Sequence, residues 1–279
     1  MLPHASTLIL LAALLHAVWN ALLRGAEDRL WGATVMSFSV GVACFGTAFF
    51  VPLPLSASWP LILLSALLHI AYNLLLARMY RQGDFGHTYP IARGASPLLI
   101  ALGGTLLASE HLHPITAAGI GLISCGILTL SLARNIHLNV VPAALATGLA
   151  IAAYSITDAL GVRLAGNLLS YTAWIGIAWG LPMPLVYLLI RRDRGRTLLN
   201  ASGPEFAKAI GGGLISIAGY LIIIWAMRDG AMGPVSALRE TSILFAALLG
   251  RLFLGEPFTL RKAAAATLIV GGTVCLHLG

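Results

Sequence analysis

The chain alternates long apolar runs with short polar turns. Ten runs can be read, at about residues 6–24, 30–51, 60–80, 86–107, 115–133, 140–162, 168–190, 207–227, 233–254 and 262–278. Each approaches the ~20 residues that a helix needs to cross the hydrocarbon of a bilayer. Runs of this length are too long for barrel strands, and a spanning segment must satisfy its own backbone hydrogen bonds. The pattern therefore predicts an all-α membrane protein with ten transmembrane helices. The linkers carry turn chemistry, as in Arg81-Gln82-Gly83-Asp84, Arg134-Asn135 and Arg228-Asp229-Gly230. The longest linker runs from Arg191 to Pro204 and also holds Arg192, Arg194 and Arg196.

The runs repeat. Residues 93–130 align without a gap on 239–276, with 14 identities in 38 positions. Arg93 meets Arg239, Ser96 meets Ser242, Gly104 meets Gly250, Glu110 meets Glu256 and Gly126 meets Gly272. Further upstream, a weaker alignment sets Asn20 opposite Asp158. The expected division is a first five-helix repeat over 1–134 and a second over 135–279. Five is an odd number of crossings, so the second copy is inverted relative to the first. Inverted repeats are a transporter signature, with the site at their interface near the bilayer midplane.

Composition narrows the class. Of 279 residues, 58% are hydrophobic and 10% charged, and mean hydropathy is +0.89. Soluble domains carry roughly 25% charged residues. A cytosolic enzyme, a secreted disulfide scaffold, a disordered chain and a soluble domain with one anchor are all excluded. The net charge of +7 does not point to nucleic acid, because no basic stripe interleaves with aromatics. Thirteen Lys and Arg fall in loops after odd-numbered runs and two in loops after even-numbered ones. By the positive-inside rule the odd loops are cytoplasmic, which sets both termini outside a multi-pass inner (plasma) membrane protein. The first run lacks the positive leader of a signal peptide and carries His16, Trp19 and Asn20, so it reads as a retained helix. Cys44, Cys125 and Cys275 lie inside apolar runs without CxxC spacing and read as packing residues.

Charged residues inside spanning helices are costly and mark cavities or partners. The candidates are Arg93, Asp158, Arg239 and Glu240. Guanidinium grips carboxylate, phosphate or phosphonate with two parallel bonds and stays charged at any working pH. Arg93 and Arg239 are thus candidates for an anionic group, with Asp158 or Glu240 holding an amine or a proton. The competing reading is that the four pair among themselves and fix helix packing. Arg239 and Glu240 are adjacent, project about 100° apart, and are not expected to pair well. His16-Ala17-Val18-Trp19-Asn20 and His69-Ile70-Ala71-Tyr72-Asn73 share one pattern, which lays His, aromatic and Asn on one helical face. With Tyr89 and Tyr154 these residues suit the wall of a site for a small amphipathic ligand. Trp31 and Trp59, at segment ends, read as interfacial belt residues. Pro90 and Pro97 predict a kink in the fourth helix, and Pro182 and Pro184 break the seventh. Small residues recur every fourth position at Ala117, Gly121 and Cys125 and at Ala263, Thr267, Gly271 and Cys275. Such stripes serve close helix packing or a homodimer contact. His111 and His113 do not complete a metal set, and no phosphate loop, HExxH or GxSxG motif occurs. No cofactor, metal or enzymatic activity is expected.

Ten helices in two five-helix copies resemble the drug/metabolite transporter superfamily, EamA type. The most specific piece is a turn that stands as Gly255-Glu256-Pro257-Phe258 and, in the first copy, as Ser109-Glu110-His111-Leu112. The stretches His16–Asn20, Tyr89-Pro90-Ile91-Ala92-Arg93-Gly94 and Asp158-Ala159-Leu160-Gly161-Val162-Arg163 resemble a subgroup associated with phosphonate-utilisation genes. The resemblance implies a central cavity lined by helices 1, 3, 4, 6, 8 and 9, with helices 5 and 10 at the periphery. It implies export or exchange of a small metabolite. Several members are drawn with both termini in the cytoplasm, opposite to the charge count. The expected function is alternating-access transport of an amino acid or related organic anion or zwitterion. The alternative is a multidrug exporter of lipophilic cations, which requires an acidic, aromatic cavity without a free arginine.

Overall fold

Short polar side chains open several of the apolar runs by capping their first turns. Asp28 accepts from the backbone N–H of Leu30 and Trp31, Asn167 from Ser170, and Thr259 from Lys262. Ser202 and Glu205 form a reciprocal capping box, and His113 caps a helix that starts with Pro114. The structure, a computed structural model, describes residues 3–82, 85–131, 141–191, 198, 201–254 and 259–279. The Gly255–Phe258 turn, Gly83, Asp84, Arg134, Asn135, Arg192, Arg194, Arg196 and the 134/135 boundary lie outside them.

The helices are α1 (Pro3–Arg24), α2 (Arg29–Ala48), α3 (Trp59–Gln82), α4 (Phe85–Leu107), α5 (Pro114–Thr129) and α6 (Val141–Leu164). They continue as α7 (Leu168–Gly180), α8 (Met183–Ile190), α9 (Gly203–Asp229), α10 (Met232–Arg239), α11 (Ser242–Leu254) and α12 (Leu260–Leu278). No strand occurs among the described residues.

Each predicted run is helical, but two are not single helices. The seventh breaks into α7 and α8 at Pro182, which caps α8. The ninth breaks into α10 and α11 without a proline. There the N–H groups of Glu240 and Thr241 reach back three residues, to Ala237 O at 3.1 Å and Leu238 O at 3.2 Å. These tight turns interrupt the α-helix beside two charged side chains. By contrast α4 runs on through Pro90 and Pro97. Pro97 has no N–H to give Arg93 O, and the Ser96 hydroxyl donates to that carbonyl at 3.2 Å instead.

Among the described residues, eight spans are long and apolar enough to cross a bilayer. The other two predicted runs are α5, with 16 residues, and α12, which opens with Arg261 and Lys262. They pack against each other. A methyl group at Gly126 would come within 3.0 Å of Ala265 O, and one at Gly272 within 2.6 Å of Gly119 O. The contact face is therefore 119, 123 and 126 against 265, 269 and 272. Most of the small-residue stripe read from the sequence points elsewhere. Ala117, Cys125 and Thr267 are exposed, and a methyl at Gly121 or Gly271 would meet nothing within 4 Å; Cys275 does touch the contact face, beside Gly119.

Side-chain polarity is inverted relative to a soluble domain. Leu63, Leu67, Leu106, Leu188 and Leu252 are exposed on the outside, where lipid is the matching solvent, while His69, Arg93, Asp158, Arg239 and Glu240 are buried. Trp31 is buried too, and its indole N–H donates to Leu198 O at 2.9 Å, so it is a packing residue and not a belt residue.

Helix ends meet in two groups. Arg191 pairs with Asp28 at 2.6 Å at one end of the molecule. At the other, Leu55 N–H donates to Ala165 O and the Ser170 hydroxyl to Pro52 O. That second end also holds a charged fastening. Arg163 at the end of α6 pairs with Glu110 at 2.8 Å and donates to Met227 O and Gly230 O at the end of α9. Glu110 in turn accepts the Met232 N–H that opens α10.

Candidate functional site

A cavity lies among α1, α2, α3, α6, α7, α9 and α10. Glycines let the walls approach. A methyl at Gly148 on α6 would meet Ala92 O of α4 at 2.7 Å, and one at Gly180 on α7 would meet Ser37 O of α2 at 2.5 Å. Seven of the twelve residues expected at a site line the cavity: His16, Trp19, His69, Tyr72, Asn73, Tyr154 and Arg239. Asn20, Tyr89, Arg93, Asp158 and Glu240 do not. Among the described residues none of α4 lines this cavity, while α2 and α7, which were not expected, contribute to it.

The two matched stripes behave alike. Asn20 Nδ2 donates to His16 O at 2.8 Å and Asn73 Nδ2 to His69 O at 3.0 Å, so both amides turn back onto their own helices. The Trp19 indole donates to His16 Nδ1 at 3.2 Å, which leaves His16 Nε2 buried with no hydrogen-bond partner among the described residues. His69 is held by Ser65 O at 3.0 Å from Nδ1. Its ring stacks on Trp179 (centroids 5.3 Å apart) and lies 4.1 Å from Tyr154, with Tyr220 edge-on at 5.6 Å. Trp179 and Tyr220 are wall residues that the sequence reading missed.

Asp158 sits behind this aromatic wall, 1% exposed. It accepts from Tyr171 at 2.9 Å and from Tyr220. Two hydroxyls thus close it off from the cavity.

Glu240 is fully buried between the two arginines. Its Oε2 lies 2.7 Å from Arg93 Nε, an ion-pair distance although the N–H does not point along it. Its Oε1 accepts a hydrogen bond from Arg239 Nη2 at 3.4 Å. Adjacent Arg239 and Glu240 do meet, then, through the length of the arginine side chain, but Arg93 is the nearer partner. Two guanidinium groups share one carboxylate. Arg93 Nη1 and Nη2 and Arg239 Nε are buried without a hydrogen-bond partner among the described residues. Arg93 also lies 5.7 Å over the Tyr89 ring. Unmade bonds of buried charged donors are costly, and of the two guanidinium groups it is that of Arg239 that lines the cavity, where it is suited to an incoming anion. The aromatic surround offers apolar contact to the rest of such a molecule.

No curated protein matches the sequence. A solved structure, described only as a crystal structure of a protein, is similar with a TM-score of 0.80 and 20% sequence identity. The match covers 99% of this chain and 97% of that one, and at this identity it speaks for the fold. The family described as EamA-like transporter matches residues 139–278, the stretch that holds α6 to α12 and with them Tyr154, Asp158, Arg239 and Glu240. Its spanning helices, its inverted polarity and this match together make the chain a multi-pass membrane protein that belongs to the EamA-like transporter family.

Proposed function

We propose that this transporter moves a small polar metabolite, an amino acid or a related organic anion or zwitterion, by alternating access as a secondary exporter. The observation that carries the reading is Arg239 on the cavity wall with only a share of one carboxylate, which Arg93 approaches more closely. Arg239 takes the anionic end of the substrate. Trp19, Tyr72, Tyr154 and Trp179 contact its body, and His16 Nε2 offers a further polar group. Arg93 is a positioning residue that draws Glu240 towards itself, so that one carboxylate is divided between two guanidinium groups.

Two packing patterns support an inverted repeat as the moving frame. The α5–α12 contact exchanges aligned positions, Gly126 on Ala265 and Ile269 against Gly272 on Gly119 and Ile123. Likewise α3 packs on α6 as α1 packs on α9. The broken α10–α11 span at the charged cluster fits the discontinuous helices that transporters place at their binding sites. The Glu110–Arg163 fastening joins the ends of α6, α9 and α10, so in this reading it holds one end of the cavity shut.

Export of lipophilic cations is the weaker reading. Its aromatic requirement is met, but the wall carries an arginine and, among the described residues, no Asp or Glu. The test is flux of a labelled panel of amino acids, organic acids and cationic dyes in proteoliposomes. Flux of an amino acid or organic acid supports the proposal. Flux of the dyes alone, or of nothing, overturns it.

A further inference from the structure

The same wall bears on whether the substrate carries an amine. An α-amino acid brings a carboxylate and an ammonium group about two bonds apart, and a desolvated ammonium needs a carboxylate or several acceptors close by. Among the described residues the cavity wall has no Asp or Glu. The two acids nearest to it are both engaged. Asp158 accepts hydroxyls from Tyr171 and Tyr220, and Glu240 lies between Arg93 and Arg239. The repeat sharpens the imbalance. Arg93 and Arg239 are aligned, but the position aligned with Glu240 is Gly94, so one acid serves two arginines. What the cluster has in excess is positive charge, on Arg93 and Arg239, with unpartnered nitrogens at Arg93 Nη1 and Nη2, Arg239 Nε and His16 Nε2. An ammonium placed beside a carboxylate at Arg239 would face like charge at close range.

Resting on the transporter reading above, we infer that the substrate is a small monoanionic organic acid with an apolar body and no ammonium group, and that Arg239 selects it over the matching amino acid. A hydroxyl in place of the amine is accommodated. It meets Ser37, Asn73 or Ser216 on the same wall without bringing a second positive charge.

The matched pair is valine and 2-hydroxy-3-methylbutanoate, which share a skeleton and a carboxylate. Binding to the purified full chain in detergent is measured by calorimetry, with thermal unfolding as the fold control. The expected result is at least tenfold tighter binding of the hydroxy acid, with that advantage lost in Arg239→Gln. Valine binding as well or better overturns the inference and leaves the transporter reading in place. Binding of neither compound by folded protein, with no flux of any organic acid in proteoliposomes, overturns both.

Discussion

Arg93 on α4 holds Glu240, at the break between α10 and α11, at 2.7 Å, closer than the 3.4 Å between Glu240 and its sequence neighbour Arg239. All three side chains are at most 3% exposed. Glu240 is nevertheless shared, because its Oε1 accepts from Arg239 Nη2. One carboxylate thus serves two guanidinium groups, and Arg239 Nε has no hydrogen-bond partner among the described residues, which leaves net positive charge for whatever enters the cavity.

Removing Arg93 is therefore predicted to act through Glu240. In Arg93→Leu the carboxylate, already shared with Arg239, is left to Arg239 alone, and the half-saturation concentration for an anionic substrate rises at least tenfold. The variant also loses about 3–5 kcal/mol of stability, the usual cost of stripping one partner from a buried pair. Arg93→Leu/Glu240→Gln restores most of the affinity, because Arg239 is freed again. Transport kinetics and thermal unfolding of the three proteins check this. Failure of the second substitution to rescue would make Arg93 a direct ligand or a purely structural residue.

Asp158 is predicted to be a structural acid. It accepts from Tyr171 and Tyr220, and hydrogen bonds to charged groups are worth about 1.5–3 kcal/mol each. Tyr171→Phe should lower the melting temperature by several degrees, and Asp158→Leu by more, since it orphans two hydroxyls. Asp158→Asn keeps acceptor capacity and should retain both fold and flux. Abolished flux in a fully stable Asp158→Asn would place the acid in the transport chemistry instead.

The two faces of α5 should respond oppositely to bulk. Gly126→Leu forces a side chain into Ala265 and Ile269 of α12 and should destabilise by about 1–3 kcal/mol, the range for overpacking. Gly121→Leu points into open space and should leave the melting temperature within error. Equal effects would contradict the packing described.

The Glu110–Arg163 fastening makes a prediction about access and, at the same time, about topology. In a cysteine-free background, Ala231→Cys should react slowly with an external membrane-impermeant maleimide, and several-fold faster once Glu110→Gln loosens the end of α6 from α9 and α10. Lys208→Cys, at the opposite end, should react only after permeabilisation. Labelling of position 208 from outside would reverse the orientation given by the Lys and Arg count.

Much of this was legible in the chain. The ten apolar runs became helices, and the buried charges stood out because lipid tolerates so few of them. The Arg93–Arg239 correspondence was visible as an alignment. The partner of each was not, because Glu240 is set by a helix break that no proline announces. Trp179 and Tyr220 were missed because α7 and α9 are apolar nearly all round. The available hint was Gly213, Ser216 and Tyr220 at helical spacing on one face of α9. In the sequence Arg163 has the look of a loop charge, since its partners Glu110, Met227 and Gly230 are distant along the chain. The α5 and α12 stripes were real, but neighbouring positions make most of the contact.

The most direct test of the central claim is the concentration dependence of organic-acid counterflow in proteoliposomes for wild type and Arg239→Gln, with equal melting temperatures as the condition for comparison. The account predicts saturable counterflow in wild type and at least a tenfold higher half-saturation concentration, or no counterflow, in the variant. Unchanged half-saturation in a folded Arg239→Gln would contradict it and return the arginine to helix packing.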